Sequence, residues 1–186
     1  MIDFLLKETY YIPDDFQKTV YDIDYQKIWD KGIRVILIDL DNTLIPYDES
    51  MPNDEIKKLF HLFKQIGFEV VIVSNNHLER VEPFAKEVGS MFICSARKPL
   101  KKGFLRAMSL VGNYKAHEVC VIGDQFMTDC LGGKRLGFDV IVVNAIKRKV
   151  EKWYTKLNRK LEKRMIHRIK KHQPEIYNKL HLSEKR

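Results

Sequence analysis

The 186-residue chain has no apolar run that approaches the roughly 18 uninterrupted residues a membrane span requires. It is also poor in cysteine. The three residues, Cys94, Cys120 and Cys130, are an odd number and do not have the spacing of a metal site. The stretch Met1–Tyr11 lacks the basic start and long apolar centre of a secretory signal. These absences predict a protein of the reducing cytoplasm rather than a secreted or membrane-spanning one.

The sequence also lacks internal repeats and low-complexity segments in its body. Its 45% hydrophobic content is sufficient for a packed core, and its length suits one domain with a short appendage. We divide it into an aromatic-rich packing segment over residues 1–32, a regular domain over residues 33–146 and a tail over residues 147–186.

The tail is strongly basic. Fifteen Lys and Arg stand against four Glu from Lys147 to Arg186, a net charge of +11, which leaves −3 for the other 146 residues. An apolar residue every fourth position (Trp153, Leu157, Leu161, Met165, Ile169) predicts an amphipathic helix that ends before Pro174. The sequence does not identify the partner of this helix. Its apolar stripe could pack on the body, on a second copy of the chain or on an anionic bilayer. Its positive charge fits binding to phospholipid or to nucleic acid, or simple solvation by water.

The domain alternates short apolar runs with helical periods. Five runs predict strands, at residues 34–38, 68–73, 91–94, 119–122 and 140–143. Helices are predicted from Asn53 to Gly67, after an Asn76–Glu79 capping pair, from Pro99 to Gly112 and over residues 127–136. The pattern predicts an α/β fold whose mainly parallel five-stranded sheet carries helices on both faces.

The first strand ends in two carboxylates. Asp39 and Asp41 are two residues apart, so they leave an extended chain on the same side. Like charges this close at the end of a buried strand need a cation between them. Ser74, Lys98 and Asp124 follow the next strands, and parallel strand ends meet at one edge of a sheet. We therefore expect a polar site there.

These endings resemble the motifs of one family. Asp39-Leu40-Asp41-Asn42-Thr43 is similar to the DxDxT motif of the haloacid dehalogenase (HAD) superfamily phosphatases, and the stretch from Gly123 to Asp129 is similar to their GDxxxTD motif. Ser74 and Lys98 occupy the places of the second and third motifs. The segments around Tyr21, Val73-Ser74-Asn75-Asn76 and Ala96-Arg97-Lys98-Pro99 further resemble the capless YqeG-type branch, subfamily IIIA, grouped with mitochondrial phosphatidylglycerophosphate phosphatases.

The resemblance implies a HAD-like Rossmannoid three-layer sandwich and a phosphoric monoester hydrolase that acts through an aspartyl-phosphate. It implies Asp39 as nucleophile, Asp41 as acid and base, and Mg²⁺ as cofactor. The implied residues are Asp39, Asp41 and Lys98 for catalysis; Thr43, Ser74, Asn75 and Lys98 for the substrate phosphate; and Asp39, Asp41 (by its carbonyl), Asp124 and Asp129 for the metal. Asn75 could instead shape its loop.

The spacing also bears on the substrate. The gaps from Asp41 to Ser74 and from Ser74 to Lys98 are too short for a cap domain, which predicts an open site. With the basic tail, the resemblance favours phosphatidylglycerophosphate at the inner membrane face. A soluble phosphorylated metabolite, a nucleic-acid end, or an RNA- or ribosome-associated role for the tail are alternatives, and an oligomer could cover the site.

Overall fold

The computed structural model describes residues 8–151 and 153–185 of the chain. Six parallel strands in these residues form one sheet in the order β1-β6-β5-β2-β3-β4. The strands are β1 Asp15–Gln17, β2 Val35–Ile38, β3 Glu69–Val73, β4 Met91–Ile93, β5 Val119–Gly123 and β6 Asp139–Val143. The strand order reverses between β2 and β5, which pair in register from Val35 opposite Val119 to Ile38 opposite Ile122.

The expectation of five strands is wrong by one. The additional strand β1 lies at the edge of the sheet, where Phe16 pairs with Val142 of β6. It has three residues, and only Phe16 is buried, between the half-buried Asp15 and Gln17. Such a short polar edge strand leaves no apolar run in the sequence, because only one of its faces contacts the core.

Helices cover both faces of the sheet, as predicted. They are α1 Tyr25–Asp30, α2 Asp54–Ile66, α3 Leu78–Val88, α4 Lys101–Val111, α5 Leu131–Lys134, α6 Trp153–His172 and α7 Pro174–Lys179, with a π-helical turn at Phe126–Cys130. The predicted ends of α2 are confirmed. The Asn53 side chain accepts a hydrogen bond from the Ile56 amide, and Gly67 adopts the left-handed conformation that ends many helices.

Two local predictions were wrong. Helix α3 begins after His77, and the Asn76 side chain is directed into the strand-end site instead of pairing with Glu79. Helix α4 begins at Lys101, two residues beyond Pro99, because Leu100 is still extended. The predicted helix over residues 127–136 is confirmed as a continuous helical segment, in which a π-helical turn at Phe126–Cys130 leads directly into α5.

Successive residues of β2 divide between two hydrophobic cores. Ile36 and Ile38 pack against α1, α2 and α3 on one face, whereas Val35 and Leu37 pack on the other face with α4 and α6. Because both faces are covered, all four side chains of β2 are buried, which explains the continuous apolar run in the sequence.

Helix α6 packs on the body, but only part of the predicted stripe is buried. Met165 and Ile169 join the core, whereas Leu157 is half exposed and the Trp153 side chain lies outside the described residues. Nearer the start of α6 the buried side chains are Thr155, Arg159 and Glu162. The inward face is polar there because this part of the helix crosses the polar strand ends rather than the core. Among the described helices, none is both long and apolar enough to cross a membrane.

Candidate active site

The polar endings of four strands surround one cleft at the carboxyl edge of the sheet. The cleft has a volume of about 290 Å³, and its lining includes Asp39 and Asp41 after β2, Asn75 after β3 and Lys98 after β4. It lies where the strand order reverses between β2 and β5, the usual position of a ligand site in an open parallel sheet.

Three carboxylates form a compact cluster in the cleft. Asp39, Asp124 and Asp129 are all buried, and each offers an oxygen within 4.8 Å of the others. Lys98 joins two of them, because its ammonium group donates to Asp39 at 2.6 Å and to Asp129 at 2.7 Å. A set of carboxylate oxygens this close is the kind of donor set that Mg²⁺ prefers in proteins. The cluster therefore fits a divalent cation.

Burial and neighbouring charges alter the pKa values of this cluster. Burial raises the pKa of Asp39 well above its ordinary value; Lys98 opposes that rise, and the other carboxylates reinforce it. Burial by itself would lower the pKa of Lys98, but Asp129 and Asp39 together raise that pKa above the ordinary lysine value. Lys98 is therefore a buried cation held between two carboxylates.

Gly123 allows Asp129 to reach this cluster. A Cβ atom at Gly123 would overlap the Asp129 side chain, so no other residue type fits at the end of β5 without displacing that carboxylate. The second oxygen of Asp129 accepts hydrogen bonds from the Gln125 amide and the Thr128 hydroxyl. The glycine and the threonine of the GDxxxTD pattern thus both contact the side chain of its final aspartate, Asp129.

The Asp41 carboxylate lies outside the three-carboxylate cluster of the described residues and has its own donors. Arg80 donates through Nε at 3.1 Å to one oxygen. Asn76 at 3.2 Å and Ser74 at 3.4 Å donate to the other oxygen. The guanidinium of Arg80 also donates to the carbonyls of Pro46 and Glu49, which attaches the loop after β2 to α3. The carboxylates of Asp39 and Asp41 thus have different surroundings.

Asn75 and Thr43 lie at the site, but each contacts protein groups. The side chain of Asn75 pairs with the backbone of Lys98 in both directions, accepting from its amide at 2.6 Å and donating to its carbonyl at 3.1 Å. This arrangement supports the loop-shaping role that we considered for Asn75. The Thr43 hydroxyl is 3.5 Å from Asp124. Phosphate binding by Thr43, Ser74 and Asn75 stays a prediction, as does metal binding through the Asp41 carbonyl.

Helix α6 of the tail forms one wall of the cleft. Thr155 and Asn158 line it, as does Tyr47 from the loop after β2. The hydroxyl groups of Tyr47 and Thr155 are 3.5 Å apart, and Asn158 donates to the Gln125 side chain at 3.3 Å. Although no cap is inserted between the strands, the site is less open than we expected, because the tail covers one side.

Sequence reasoning missed the cleft-lining Tyr47, Thr155 and Asn158 and three residues that contact the carboxylates. Arg80 and Arg159 contact Asp41 and Asp124 respectively, and Asn76 was assigned to a helix cap. A weak signal existed for Arg80, which lies four residues after Asn76 and therefore on the same side of a helix start. Arg159 had none, because it is one of fifteen basic residues in the tail.

Comparison with known proteins agrees with this geometry. Residues 24–137 match the family model described as haloacid dehalogenase-like hydrolase. The chain is 36% identical over 162 residues to the probable phosphatase YqeG of Bacillus subtilis, an alignment that covers 87% of this chain and 93% of the relative. This chain belongs to the haloacid dehalogenase-like hydrolases. Within them it falls in the YqeG-type branch, as the motifs indicated.

Solved structures that this chain resembles are more distant in sequence. The hypothetical protein XCC2798 of Xanthomonas campestris is 16% identical, with a TM-score of 0.50 over 72% of this chain and 78% of its own. A subfamily III A HAD hydrolase of Legionella pneumophila is 18% identical, with a TM-score of 0.46 over 66% of this chain and 70% of its own. The likeness to XCC2798 and the helices on both faces of the parallel sheet confirm the predicted HAD-like sandwich, and the described residues contain no large cap.

Proposed function

We propose that this HAD hydrolase is a Mg²⁺-dependent phosphomonoester phosphatase that acts through an aspartyl-phosphate on Asp39. The observation that carries the proposal is the separation of the two strand-end carboxylates. Asp39 lies in the carboxylate cluster beside Lys98, whereas Asp41 faces Ser74, Asn76 and Arg80. Two carboxylates two residues apart can thereby take different tasks in one reaction.

The reaction proceeds in two displacements at phosphorus. An oxygen of Asp39 attacks, the bond between phosphorus and the ester oxygen breaks, and Asp41 gives its proton to the departing alkoxide. Asp41 then takes a proton from a water molecule, whose oxygen attacks phosphorus and breaks its bond to Asp39. Inorganic phosphate leaves, and the Asp39 carboxylate and protonated Asp41 are restored.

The site also has to balance charge, because a carboxylate repels a phosphate dianion. Lys98 lies between Asp39 and Asp129 and supplies one buried positive charge. When bound, Mg²⁺ would be held by Asp39, Asp124 and Asp129 and would neutralise the phosphoryl oxygens and the mutual repulsion of its ligands. Ser74 and Thr43 would donate hydrogen bonds to the phosphoryl group.

We further propose phosphatidylglycerophosphate as the substrate, bound at the inner membrane face. Two features support this choice beside the resemblance to the mitochondrial enzymes: the strand connections hold no cap, and the outer face of α6 is basic. The exposed basic residues of α6 include Lys156, Lys160, Lys163, Arg164, Lys170 and Lys171. A surface of this charge attracts anionic lipid headgroups, each basic residue contributing about 1 kcal/mol.

The phosphatase proposal is tested with purified protein and an aryl phosphate. Hydrolysis should require Mg²⁺, should stop with a chelator and should be abolished in Asp39→Asn. The matched control is Asp30→Asn, because Asp30 is exposed at the end of α1 and contacts only Gln26 among the described hydrogen bonds. Hydrolysis that survives in folded Asp39→Asn would overturn the mechanism.

The substrate is tested in a second experiment. Turnover of phosphatidylglycerophosphate in anionic mixed micelles is compared with that of soluble phosphorylated metabolites and of a 5′-phosphorylated oligonucleotide. We expect the highest kcat/KM on the lipid, together with salt-sensitive binding to anionic vesicles that weakens when Lys156, Lys160 and Lys163 are changed to Gln. Preference for a soluble phosphate would reject the lipid, and co-purified nucleic acid released by salt would favour an RNA-associated role.

A further inference from the structure

One arginine of the tail is buried against the carboxylate cluster. The guanidinium of Arg159 pairs with the Asp124 carboxylate and also donates to the Asp124 carbonyl at 2.8 Å. The same group pairs with Glu151 at 2.8 Å and with Glu162 at 3.0 Å. Arg159 is 6% exposed and Asp124 is fully buried. A planar cation that contacts three carboxylates has little freedom to move, so its position is fixed from several sides.

The two glutamates connect this arginine to both loops that carry the cluster. Glu162 accepts from the Phe126 amide at 2.6 Å, at the start of the π-helical turn after β5. Glu151 accepts from the Asn42 side chain at 3.2 Å, in the loop after β2. The network thus extends from the Asp39–Asp41 loop to the Asp124–Asp129 loop through the tail.

A second tail cation reaches the same residue. The ammonium group of Lys185 donates to the Asp124 carbonyl at 2.8 Å and to the Val143 carbonyl at 2.5 Å. Asp124 therefore contacts two parts of the tail, its carboxylate through Arg159 in α6 and its backbone carbonyl through Lys185 after α7. If the tail were only a solvated basic appendage, its cations would face water rather than converge on one buried aspartate.

The geometry at Asp124 leaves one carboxylate oxygen available. Arg159 holds Oδ2, whereas Oδ1 faces the Thr43 hydroxyl at 3.5 Å. An outer partner that holds one oxygen of a ligating carboxylate fixes the direction of the other, and losing such a partner typically lowers metal affinity 10- to 100-fold. Arg159 occupies that outer position relative to the cluster of Asp39, Asp124 and Asp129.

We infer that the C-terminal tail forms part of the active site. In it, Arg159 is a positioning residue that orients Asp124 for a divalent cation, and α6 forms one wall of the cleft. The inference rests on the proposed function, because it takes Asp124 as a metal ligand. It assigns the inward face of the tail to the active site and leaves the outward basic face for a partner.

The test measures divalent-cation binding directly, in the absence of substrate. Mn²⁺ affinity of the full-length protein is determined by electron paramagnetic resonance of the free ion and by calorimetry. We expect Arg159→Lys to bind Mn²⁺ about 10- to 100-fold more weakly than the wild type, because an ammonium cannot bridge the carboxylate and both glutamates. Lys160→Met is the matched control, since Lys160 is the exposed neighbour on the same helix, and it should bind normally.

A second variant covers the case in which Arg159→Lys does not fold. Glu162→Gln keeps an acceptor for the Phe126 amide but removes one charge that holds the guanidinium, so a smaller loss of Mn²⁺ affinity is expected with the fold retained, as judged by circular dichroism. Wild-type affinity in either folded variant would overturn the inference alone. Failure of the wild type to bind Mn²⁺ or Mg²⁺ would overturn both the inference and the metal dependence of the proposed function.

Discussion

The ammonium group of Lys98 lies 2.6 Å from the carboxylate of Asp39, and both side chains are almost fully buried. Lys98 also contacts Asp129 at 2.7 Å, so one cation separates two carboxylates of the cluster. Lys98 lines the cleft, whereas the neighbouring Lys101 and Lys102 are exposed.

Lys98→Met should therefore damage both activity and metal-free stability. Two buried carboxylates lose their shared cation, and removing one partner of a buried pair destabilises by about 3–5 kcal/mol. Activity should fall by at least about 100-fold, because one stabilising charge is lost from the phosphoryl group. Thermal unfolding with a chelator present and aryl phosphate turnover measure the two effects. Lys102→Met serves as the control, and equal losses in both variants would contradict this assignment.

The loss of activity caused by Asp41→Asn should depend on the leaving group of the substrate. An alkyl phosphate needs a proton at its leaving oxygen, so its turnover should fall about 10²- to 10⁴-fold. An activated aryl phosphate needs no such proton, so Asp39 should still be phosphorylated while the later attack by water is slow. Rapid-quench experiments should show a stoichiometric burst of phenolate and an acid-stable phosphoprotein. Near-wild-type turnover of an alkyl phosphate would show that Asp41 is not the acid.

Loss of Arg80 should impair Asp41 without removing it. Arg80 holds the Asp41 carboxylate at 3.1 Å and attaches the loop after β2 through the Pro46 carbonyl. Because small misplacement of a catalytic group can reduce the rate about 100-fold, Arg80→Met should lower kcat/KM on alkyl phosphates to that extent. Its loss on an activated aryl phosphate should be smaller. Arg106→Met is the control, since Arg106 is exposed on α4, and an equal loss on both substrates would contradict a role through Asp41.

Added Mg²⁺ should stabilise the protein more at about pH 8 than at about pH 5, because protons compete with the cation for carboxylates. Burial raises the folded-state pKa of Asp39, so the folded protein binds a proton at Asp39 more tightly than the unfolded chain does. In the metal-free protein, the stability that this proton contributes is present at acid pH and is lost as pH rises through the raised pKa. Thermal unfolding with Mg²⁺ and with a chelator measures the stabilisation by the cation. This stabilisation reaches about 2.7 kcal/mol when the Mg²⁺ concentration is 100 times its dissociation constant. Asp124→Asn should remove most of the Mg²⁺ response, and a response independent of pH would contradict the cluster as its origin.

The parallel α/β fold and the residues at its strand ends follow from local patterns in the sequence. The apolar run before Asp39 and the polar residues that end it are local features, and parallel strands necessarily bring their carboxyl ends to one edge. The start of α2 at Asn53 and its end at Gly67 could likewise be predicted, because capping depends on neighbouring residues. The edge strand β1 could not be predicted, since it has a single buried residue.

The groups that hold the carboxylates in place are brought there by three-dimensional packing. Arg80 is 39 residues from Asp41 in the chain, and Arg159 is 35 residues from Asp124. In the sequence, a charged residue on a helix looks the same whether its helix turns it towards water or towards a buried acid. Packing α6 across the strand ends turned Arg159 inward and left its neighbour Lys160 exposed. That choice depends on the position of the whole helix relative to the sheet, and no local pattern in the tail encodes it.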